Sequence, residues 1–270
     1  MADEYVISEI EKEYMFALLE QNKRIDGREI LQYRSLEIET NYIEKAEGSA
    51  VVTLGDTKII VGVKSVLGTP FPDSPNSGVI TTSAELSPIA SPFFESGPPS
   101  EKAIELARVT DRAIRESHCI DLAKLCIIPG KLVWIVFLDF YILNHDGNLF
   151  DAAVLGSVAA LATAKIPKVK VTGDEHEVLE EKVPLDIQHY PVSVTTYRIG
   201  KKLLIDPTFK EERVTDMRLT FAFDEDDHIV SAQKGNKGVL KPDEVMPIVK
   251  QALEISKGLR KELMKALPSK

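Results

Sequence analysis

Hydrophobic and polar residues along this chain follow two periods, one typical of helices and the other typical of strands. Residues 6–22 repeat apolar side chains at helical spacing, including Val6, Ile10 and Leu18, with charged residues between them. This pattern predicts an amphipathic helix whose apolar stripe contains those side chains. The alternation of apolar and charged residues at 36–39 predicts a half-buried strand after it.

Four further strands are predicted before residue 150. The runs 50–54 and 58–63 are rich in β-branched residues, and the short connection at Gly55 between them predicts a hairpin. Residues 79–86 predict the next strand. The run 134–143 is almost continuously apolar and aromatic, which predicts a central strand covered on both faces.

Helices are predicted in both halves of the chain. Ser100 precedes a helix at about 100–117 and can cap it, and an alanine-rich helix at 149–164 can pack closely against a sheet. The acidic segment 173–182 marks the boundary between the halves, and residues 241–267 return to a helical pattern. The strands predicted between these two segments are 191–198, 202–205, 217–223 and 229–233.

The order of these elements predicts the architecture. Strands and helices occur in two similar successions, which indicates a mixed α/β (α+β) protein with two βαβ-rich halves and helices between mixed sheets. We predict an N-terminal helix at 1–23, a first half at 24–170 and a second half at 171–270.

Composition excludes several classes of protein. The 270 residues are 44% hydrophobic and 28% charged, as in ordinary globular proteins, and the net charge of −9 argues against coating duplex DNA. A local basic groove can still be built on such an acidic body. No apolar stretch approaches the roughly 18 residues that span a bilayer, and the N-terminus lacks the basic start of a secretory signal. We therefore expect a cytoplasmic protein with no membrane partner, with Cys119 and Cys126 reduced and no metal site.

Three arginines form the strongest candidate site. They are Arg108, Arg112 and Arg115. Their spacing of i, i+4 and i+7 places them on nearly one face of the helix predicted at 100–117. A guanidinium group can donate two parallel hydrogen bonds to one phosphate, so the stripe suits a polyphosphate backbone. The structural alternative is that carboxylates three or four residues away pair with these arginines. Those carboxylates are Glu105, Asp111 and Glu116.

Five motifs, in this order, resemble those of the RNase PH superfamily over about residues 24–240. They are Arg24-Ile-Asp-Gly-Arg28, Glu47-Gly-Ser-Ala-Val-Val-Thr-Leu-Gly-Asp-Thr-Lys58, Glu105-Leu-Ala-Arg-Val-Thr-Asp-Arg112, Asp146-Gly-Asn148 and Ala160-Leu-Ala-Thr-Ala-Lys-Ile-Pro167. Two local cues make the chain most similar, within that superfamily, to the non-catalytic RNase PH-like subunit of the archaeal exosome. They are Ser96-Gly-Pro-Pro-Ser100 and Leu204-Ile-Asp-Pro-Thr-Phe-Lys-Glu-Glu212.

The resemblance implies an RNase PH-like fold, a set of partners and a role. The partners are a catalytic RNase PH-like subunit, with which the chain forms a hexameric ring as a trimer of heterodimers, and S1- or KH-type RNA-binding cap subunits. Such a ring degrades single-stranded RNA from its 3′ end with inorganic phosphate as the attacking group. Arg108 and Arg112 match positions that contribute to the RNA path beside the partner's active site. For Arg115 an ion pair with Asp111 stays open as an alternative, and no cofactor is implied.

The resemblance also locates the phosphate pocket of catalytic members at the Asp-Gly turn, where donors at a helix N-terminus hold the anion. Here that stretch is Asp146-Gly-Asn-Leu-Phe-Asp151. Leu149 and Phe150 offer no side-chain donors and their bulk would fill the pocket, while Asp151 would repel phosphate. We therefore predict that this chain has no catalytic residues and is inactive by itself.

An acidic pair in the second half allows two interpretations. Asp206 and Glu212 keep the spacing of two aspartates in catalytic members, which would make them a surviving acid or metal site. The preferred interpretation is an Asp-Pro turn followed by a solvated glutamate pair.

Arg24 and Arg28 are predicted to fix the chain where it enters the first strand. Two rival functions stay open: a phosphorolytic exoribonuclease in its own right, and a purely architectural subunit without RNA contact.

Overall fold

The chain builds two main sheets with helices between and around them, in a computed structural model that describes residues 7–172 and 175–268. The helices are α1 (Glu9–Glu20), α2 (Glu101–Glu116), α3 (Leu149–Thr163), α4 (Phe209–Arg213) and α5 (Pro242–Ala266). The strands are β1 (Leu36–Thr40), β2 (Gly48–Leu54), β3 (Thr57–Gly68), β4 (Val79–Leu86), β5 (Cys126–Ile128), β6 (Leu132–Asn144), β7 (Lys165–Thr172), β8 (Glu175–Pro184), β9 (Val192–Ile199), β10 (Lys202–Ile205), β11 (Met217–Phe223) and β12 (Ile229–Gly235). No helix in the described part is both long and apolar enough to cross a membrane.

The two sheets differ in strand direction. The first has the order β1-β2-β3-β6-β4, with β5 beside β6, and its β4 and β6 are parallel and connected through α2. The second has the order β10-β9-β11-β12 and is antiparallel throughout. The predicted mixed α/β class is confirmed. The βαβ crossover, however, occurs in the first half, whereas two hairpins, β9–β10 and β11–β12, build the second sheet.

Helix α3 lies between the two sheets and forms the centre of the core. It packs on β2 and β3 of the first sheet and on β9 of the second. Its small residues allow this close approach: a Cβ at Gly156 would lie 2.7 Å from Cγ2 of Val61, nearer than two carbons can pack. The predicted close packing of an alanine-rich helix against a sheet is therefore confirmed.

The predicted buried stripe of the N-terminal helix is wrong. Ile10 is 80% exposed and Tyr14 is 61% exposed, whereas Met15 and Leu19 are buried, and Val6 lies outside the described residues. Leu19 joins a small cluster with Tyr197 and other residues of the second sheet. The helix carries apolar side chains on two faces, and docking against that sheet decides which face is covered.

Strand β6 is covered on one face, not on both as its apolar run predicts. Val136 and Leu138 are fully buried in the same cluster as the α3 side chains. On the opposite face Tyr141 is 48% exposed and Leu143 is 38% exposed. The helices of the first half cover one side of this sheet, so an apolar sequence alone overestimates the burial of the strand.

The acidic segment predicted as a boundary is part of a hairpin. Residues 175–182 belong to β8, which pairs antiparallel with β7, while residues 173 and 174 lie outside the described residues. Most side chains of β8 are exposed. Because neither face carries an apolar row, the period-2 signal that identifies half-buried strands is missing here.

Candidate functional site

Helix α2 presents the predicted arginine stripe at the surface. The Ser100 hydroxyl accepts a hydrogen bond from the Ala103 N–H at 3.3 Å, so the predicted N-cap is confirmed. Leu106 and six other α2 residues are buried against β4, α3 and β12. Arg108 and Arg112 lie on the exposed side of the helix. The helical period thus places both guanidinium groups in solvent.

The two exposed arginines differ in their contacts. Arg112 donates from Nη1 to the side-chain oxygen of Gln233 at 3.1 Å, a neutral acceptor that leaves its charge uncompensated. Arg108 makes no hydrogen bond or ion pair with any described residue. Glu105, one of its predicted structural partners, instead forms an ion pair with Arg218 of β11. Both groups therefore retain donors for an external anion.

Arg115 forms the ion pair with Asp111 that the sequence left open as an alternative. Its Nε and Nη2 donate to the two carboxylate oxygens of Asp111 at 3.1 and 2.7 Å, and Nη2 also donates to the carbonyl of Ile80. The hydrogen bonds that Asp111 accepts from Arg115 raise the pKa of Arg115 above its ordinary value. Arg115 thus anchors the end of α2 to β4 and neutralises Asp111.

The loop that corresponds to the phosphate pocket packs against the second half of the chain. Gly147 has φ of 88°, and a Cβ there would lie 2.3 Å from the carbonyl oxygen of Pro207. Only glycine fits this contact without displacing the 207–209 backbone. The following Asn148 is fully buried in a left-handed conformation and starts α3. Access to this loop is therefore limited by the chain itself.

The start of α3 already holds a carboxylate of the chain. The backbone N–H of Asn148 donates to Oε2 of Glu212 at 3.2 Å. A negative group is favourable at a helix N-terminus because of the helix dipole. Burial raises the pKa of Glu212 above its ordinary value, and the nearby charge of Arg218 acts in the opposite direction. A carboxyl group of the chain thus lies where the resemblance places the phosphate of catalytic members.

The bulky side chains of the loop lie in the core. Leu149 and Phe150 are 9% and 6% exposed, and the guanidinium of Arg218 lies 3.8 Å from the centre of the Phe150 ring. Asp151 is fully buried, and burial raises its pKa. Its carboxylate accepts hydrogen bonds from neighbouring groups of the first and second halves. The donors are Tyr33, Asn148, Ser193 and Thr195, the last through both its hydroxyl and its N–H.

Asp206 is buried in a network of charges, which neither sequence interpretation anticipated. Arg34 donates from Nη2 to Oδ1 at 2.7 Å and from Nε to Oδ2 at 3.0 Å. Arg28 reaches Oδ2 from Nη1 at 3.0 Å, and Asn148 donates to Oδ1. Asp206 has φ of 45°, an unfavourable backbone conformation for aspartate that these bonds maintain. No group of three or more histidine, cysteine or carboxylate side chains among the described residues is arranged to hold a metal ion.

The prediction of a solvated glutamate pair is wrong. Glu211 is 1% exposed and forms a buried ion pair with Arg24, whose guanidinium also donates to the carbonyls of Ile205 and Asp206. Glu212 binds the start of α3, as described above. The local sequence indicates a surface turn here, because the partner of Glu211, Arg24, precedes it by 187 residues.

The network also contains a residue that the sequence did not single out. Arg34 bridges Asp206 with Asp146, to which it donates at 3.0 Å, and it therefore links the two halves of the chain. A lone arginine just before a predicted strand carries no pattern that could have identified it. Arg24 and Arg28 bind the 205–211 segment, consistent with the structural role predicted for them.

His145 lies beside the loop in an aromatic cluster. Its ring stacks on Phe94 with centroids 5.3 Å apart and meets the ring of Phe209 edge-on at 5.1 Å. Burial lowers the pKa of His145 to about 4, and the positive charges of Lys102, Arg34 and Arg213 act in the same direction. The imidazole is therefore neutral at pH 7.

The depressed pKa of His145 predicts a loss of stability in acid. An unfolded histidine binds its proton near pH 6.5, whereas the folded one binds it near pH 4, so the unfolded state gains protons first. Lowering the pH from 7 to 4.5 is expected to remove about 2–3 kcal/mol of folding free energy through this residue. The measurement is urea denaturation of the wild type and His145→Gln at both pH values. Equal pH dependence of the two proteins would contradict the assignment.

Comparisons with known proteins identify the family of this chain. The chain matches the 3′ exoribonuclease family, domain 1, over residues 32–167 and domain 2 over residues 189–255. It is 51% identical over 269 residues to the exosome complex component Rrp42 of Thermococcus kodakarensis, covering 99% of both chains. It is 50% identical to the component of the same name from Pyrococcus horikoshii, covering 99% of this chain and 98% of the relative.

A solved structure described as the Archaeoglobus fulgidus exosome with RNA bound to the active site contains a similar chain. The TM-score is 0.87 at 44% identity, and the match covers 94% of this chain and 98% of the other. The resemblance and the RNase PH-like fold predicted from the motifs are thereby confirmed: this chain belongs to the 3′ exoribonuclease (RNase PH) family.

Proposed function

We propose that this chain is a non-catalytic ring subunit of an archaeal exosome. In this role it binds single-stranded RNA through Arg108 and Arg112 and completes the active site of a catalytic RNase PH-like partner. The partner carries out phosphate-dependent 3′–5′ degradation, and S1- or KH-type subunits cap the ring. Similarity over nearly the full length to chains named as exosome components supports the assembly.

The observation that carries the non-catalytic assignment is the carboxylate at the start of α3. Phosphorolysis needs inorganic phosphate held in line with the scissile bond. In this chain Glu212 accepts a hydrogen bond from the Asn148 N–H, and a second nearby carboxylate, Asp206, forms ion pairs with Arg28 and Arg34. Phosphate at this place would meet a like charge instead of open donors.

The exposed arginines support the RNA-binding part of the proposal. Arg108 and Arg112 are cations on an otherwise acidic protein, and neither is neutralised by a carboxylate of the described residues. Phosphate contacts of this kind hold a strand without reading its sequence. A similar chain occurs in a structure described as having RNA bound to the active site, which fits a strand passing near this family of subunits.

The isolated chain is expected to show no phosphate-dependent shortening of RNA, because its anion site is occupied internally. The measurement is the release of nucleoside diphosphates from a labelled single-stranded RNA in the presence of inorganic phosphate. The co-expressed complex with the catalytic partner serves as the positive control and should be active. Turnover by the chain alone would favour the rival function of an independent exoribonuclease.

A further inference from the structure

We infer that Arg218 is a positioning residue for RNA binding: it holds Glu105 away from Arg108 and so keeps the Arg108 guanidinium available for a phosphate. This inference rests on the proposed RNA-binding function of α2. It assigns a role to a buried residue of the second sheet that would not itself touch RNA.

Two carboxylates on α2 are close enough to Arg108 to form an ion pair with it. Glu105 is three residues before it and Asp111 three residues after it, and residues at this spacing are neighbours on a helix surface. In the structure neither carboxylate binds Arg108. Glu105 forms an ion pair with Arg218, and Asp111 forms a bidentate ion pair with Arg115. Two other arginines thus take both local partners of Arg108.

Arg218 is held in place by the core and not by a polar network. Its side chain is 8% exposed, and its guanidinium lies over the ring of Phe150 at 3.8 Å. On the other side it contacts the backbone at Gly235, where a Cβ would lie 2.4 Å from its Nη2. Its Nε has no hydrogen-bond partner in the described part of the chain, and Glu105 accepts from Nη2. The stacking geometry therefore directs this cation at Glu105.

The two exposed arginines of α2 differ in the charge of the neighbouring side chain that can bind them. Arg112 is oriented by Gln233, which accepts a hydrogen bond but brings no negative charge. Glu105 would bring such a charge to Arg108 if it were released, because its side chain is already 36% exposed beside that residue. An ion pair with Glu105 would compete directly with an RNA phosphate for the same guanidinium donors.

A double-mutant cycle in the assembled complex tests the inference. The variants are Arg218→Met, Glu105→Gln and the combination of both, with binding of a fluorescent oligoadenylate measured in phosphate-free buffer so that no phosphorolysis occurs. Arg218→Met is expected to weaken binding roughly fivefold and to reduce the slope of log affinity against log salt by about 0.7, as for one lost phosphate contact on a single strand. Glu105→Gln alone should change affinity by less than about twofold, because Arg218 already neutralises Glu105.

The combined variant decides the question. Adding Glu105→Gln to Arg218→Met is expected to restore both affinity and salt slope to within about twofold of wild type, since no competing carboxylate remains. Equal effects of Glu105→Gln in the two backgrounds would overturn the inference, because they would reflect long-range charge alone. Arg218→Lys, which keeps a cation for Glu105, should bind RNA nearly as well as wild type and covers the case in which Arg218→Met fails to fold.

The same experiment separates this inference from the proposed function. Arg108→Glu is included as a reference for loss of the RNA contact itself. If Arg108→Glu leaves RNA affinity unchanged, the RNA-binding role of α2 fails and the inference fails with it. If Arg108→Glu weakens binding while the cycle is additive, the proposed function stands and the role of Arg218 is refuted.

Discussion

Replacing both Arg108 and Arg112 by glutamate in the assembled complex is expected to weaken RNA binding by at least about 100-fold. Each charge-assisted hydrogen-bonding contact contributes about 1.5–3 kcal/mol, and 1.4 kcal/mol corresponds to a tenfold change in affinity. Both side chains are exposed, so the substitutions should leave the fold and the ring intact. Binding is measured by fluorescence anisotropy with single-stranded RNA at several salt concentrations.

The salt dependence distinguishes a direct contact from a general effect of charge. Loss of two phosphate contacts should reduce the slope of log affinity against log salt by about 1.4 for a single strand. Two control substitutions, combined in one variant, introduce the same two charge reversals elsewhere: Lys165→Glu at the edge of the β7–β8 hairpin and Lys250→Glu on α5, both exposed. Unchanged affinity for the double arginine variant, or an equal loss in the controls, would refute the predicted RNA contact and favour a purely architectural subunit.

The second large effect concerns stability. Arg24→Met is expected to lower the free energy of unfolding by about 3–5 kcal/mol, because it leaves the buried carboxylate of Glu211 without a counter-ion. The two side chains are 0% and 2% exposed. The substitution also removes the donors that satisfy the carbonyls of Ile205 and Asp206. The change is measured by urea denaturation of the purified chain.

Two control variants test whether the loss of stability is caused by the burial of the ion pair. Lys168→Met breaks an ion pair with Glu181 whose side chains are 43% and 63% exposed, and it should cost at most about 1 kcal/mol. Combining Arg24→Met with Glu211→Met should recover more than half of the lost stability, because no unpaired charge remains in the core. Similar losses for Arg24→Met and Lys168→Met would show that burial does not make the Arg24–Glu211 pair more important for stability than a surface pair.

The elements that the sequence predicted well share a strong periodic signal. The β2–β3 hairpin, α2 with its Ser100 cap, α3 and the strands of the second sheet all lie within a few residues of their predicted bounds. These segments combine an apolar row with turn or cap residues, so local preference and tertiary packing agree. The polar β7–β8 hairpin and the short α4 lack such a row and were missed.

The candidate site was predictable in part. Helical spacing identified Arg108 and Arg112, and the motif after β6 identified the loop that starts α3. The sequence predicted only part of the set of groups that block this loop. Phe150 lies in the core under Arg218, and the group that binds the Asn148 N–H is the carboxylate of Glu212, which is 64 residues away in the chain. No local pattern connects such distant residues.

By itself, the sequence determined the family, the main strands and helices, and the shared helix face of Arg108 and Arg112, because motifs and periodicity are properties of neighbouring residues. Which carboxylates pair with the arginines of that face depends on the tertiary structure. Glu105 is adjacent to Arg108 on the helix, yet it binds Arg218, which is 113 residues further along the chain. The physical reason is that a buried, stacked guanidinium attracts a carboxylate more effectively than an exposed and mobile one, since water screens the latter. Burial of this kind arises only when the second sheet packs on α2.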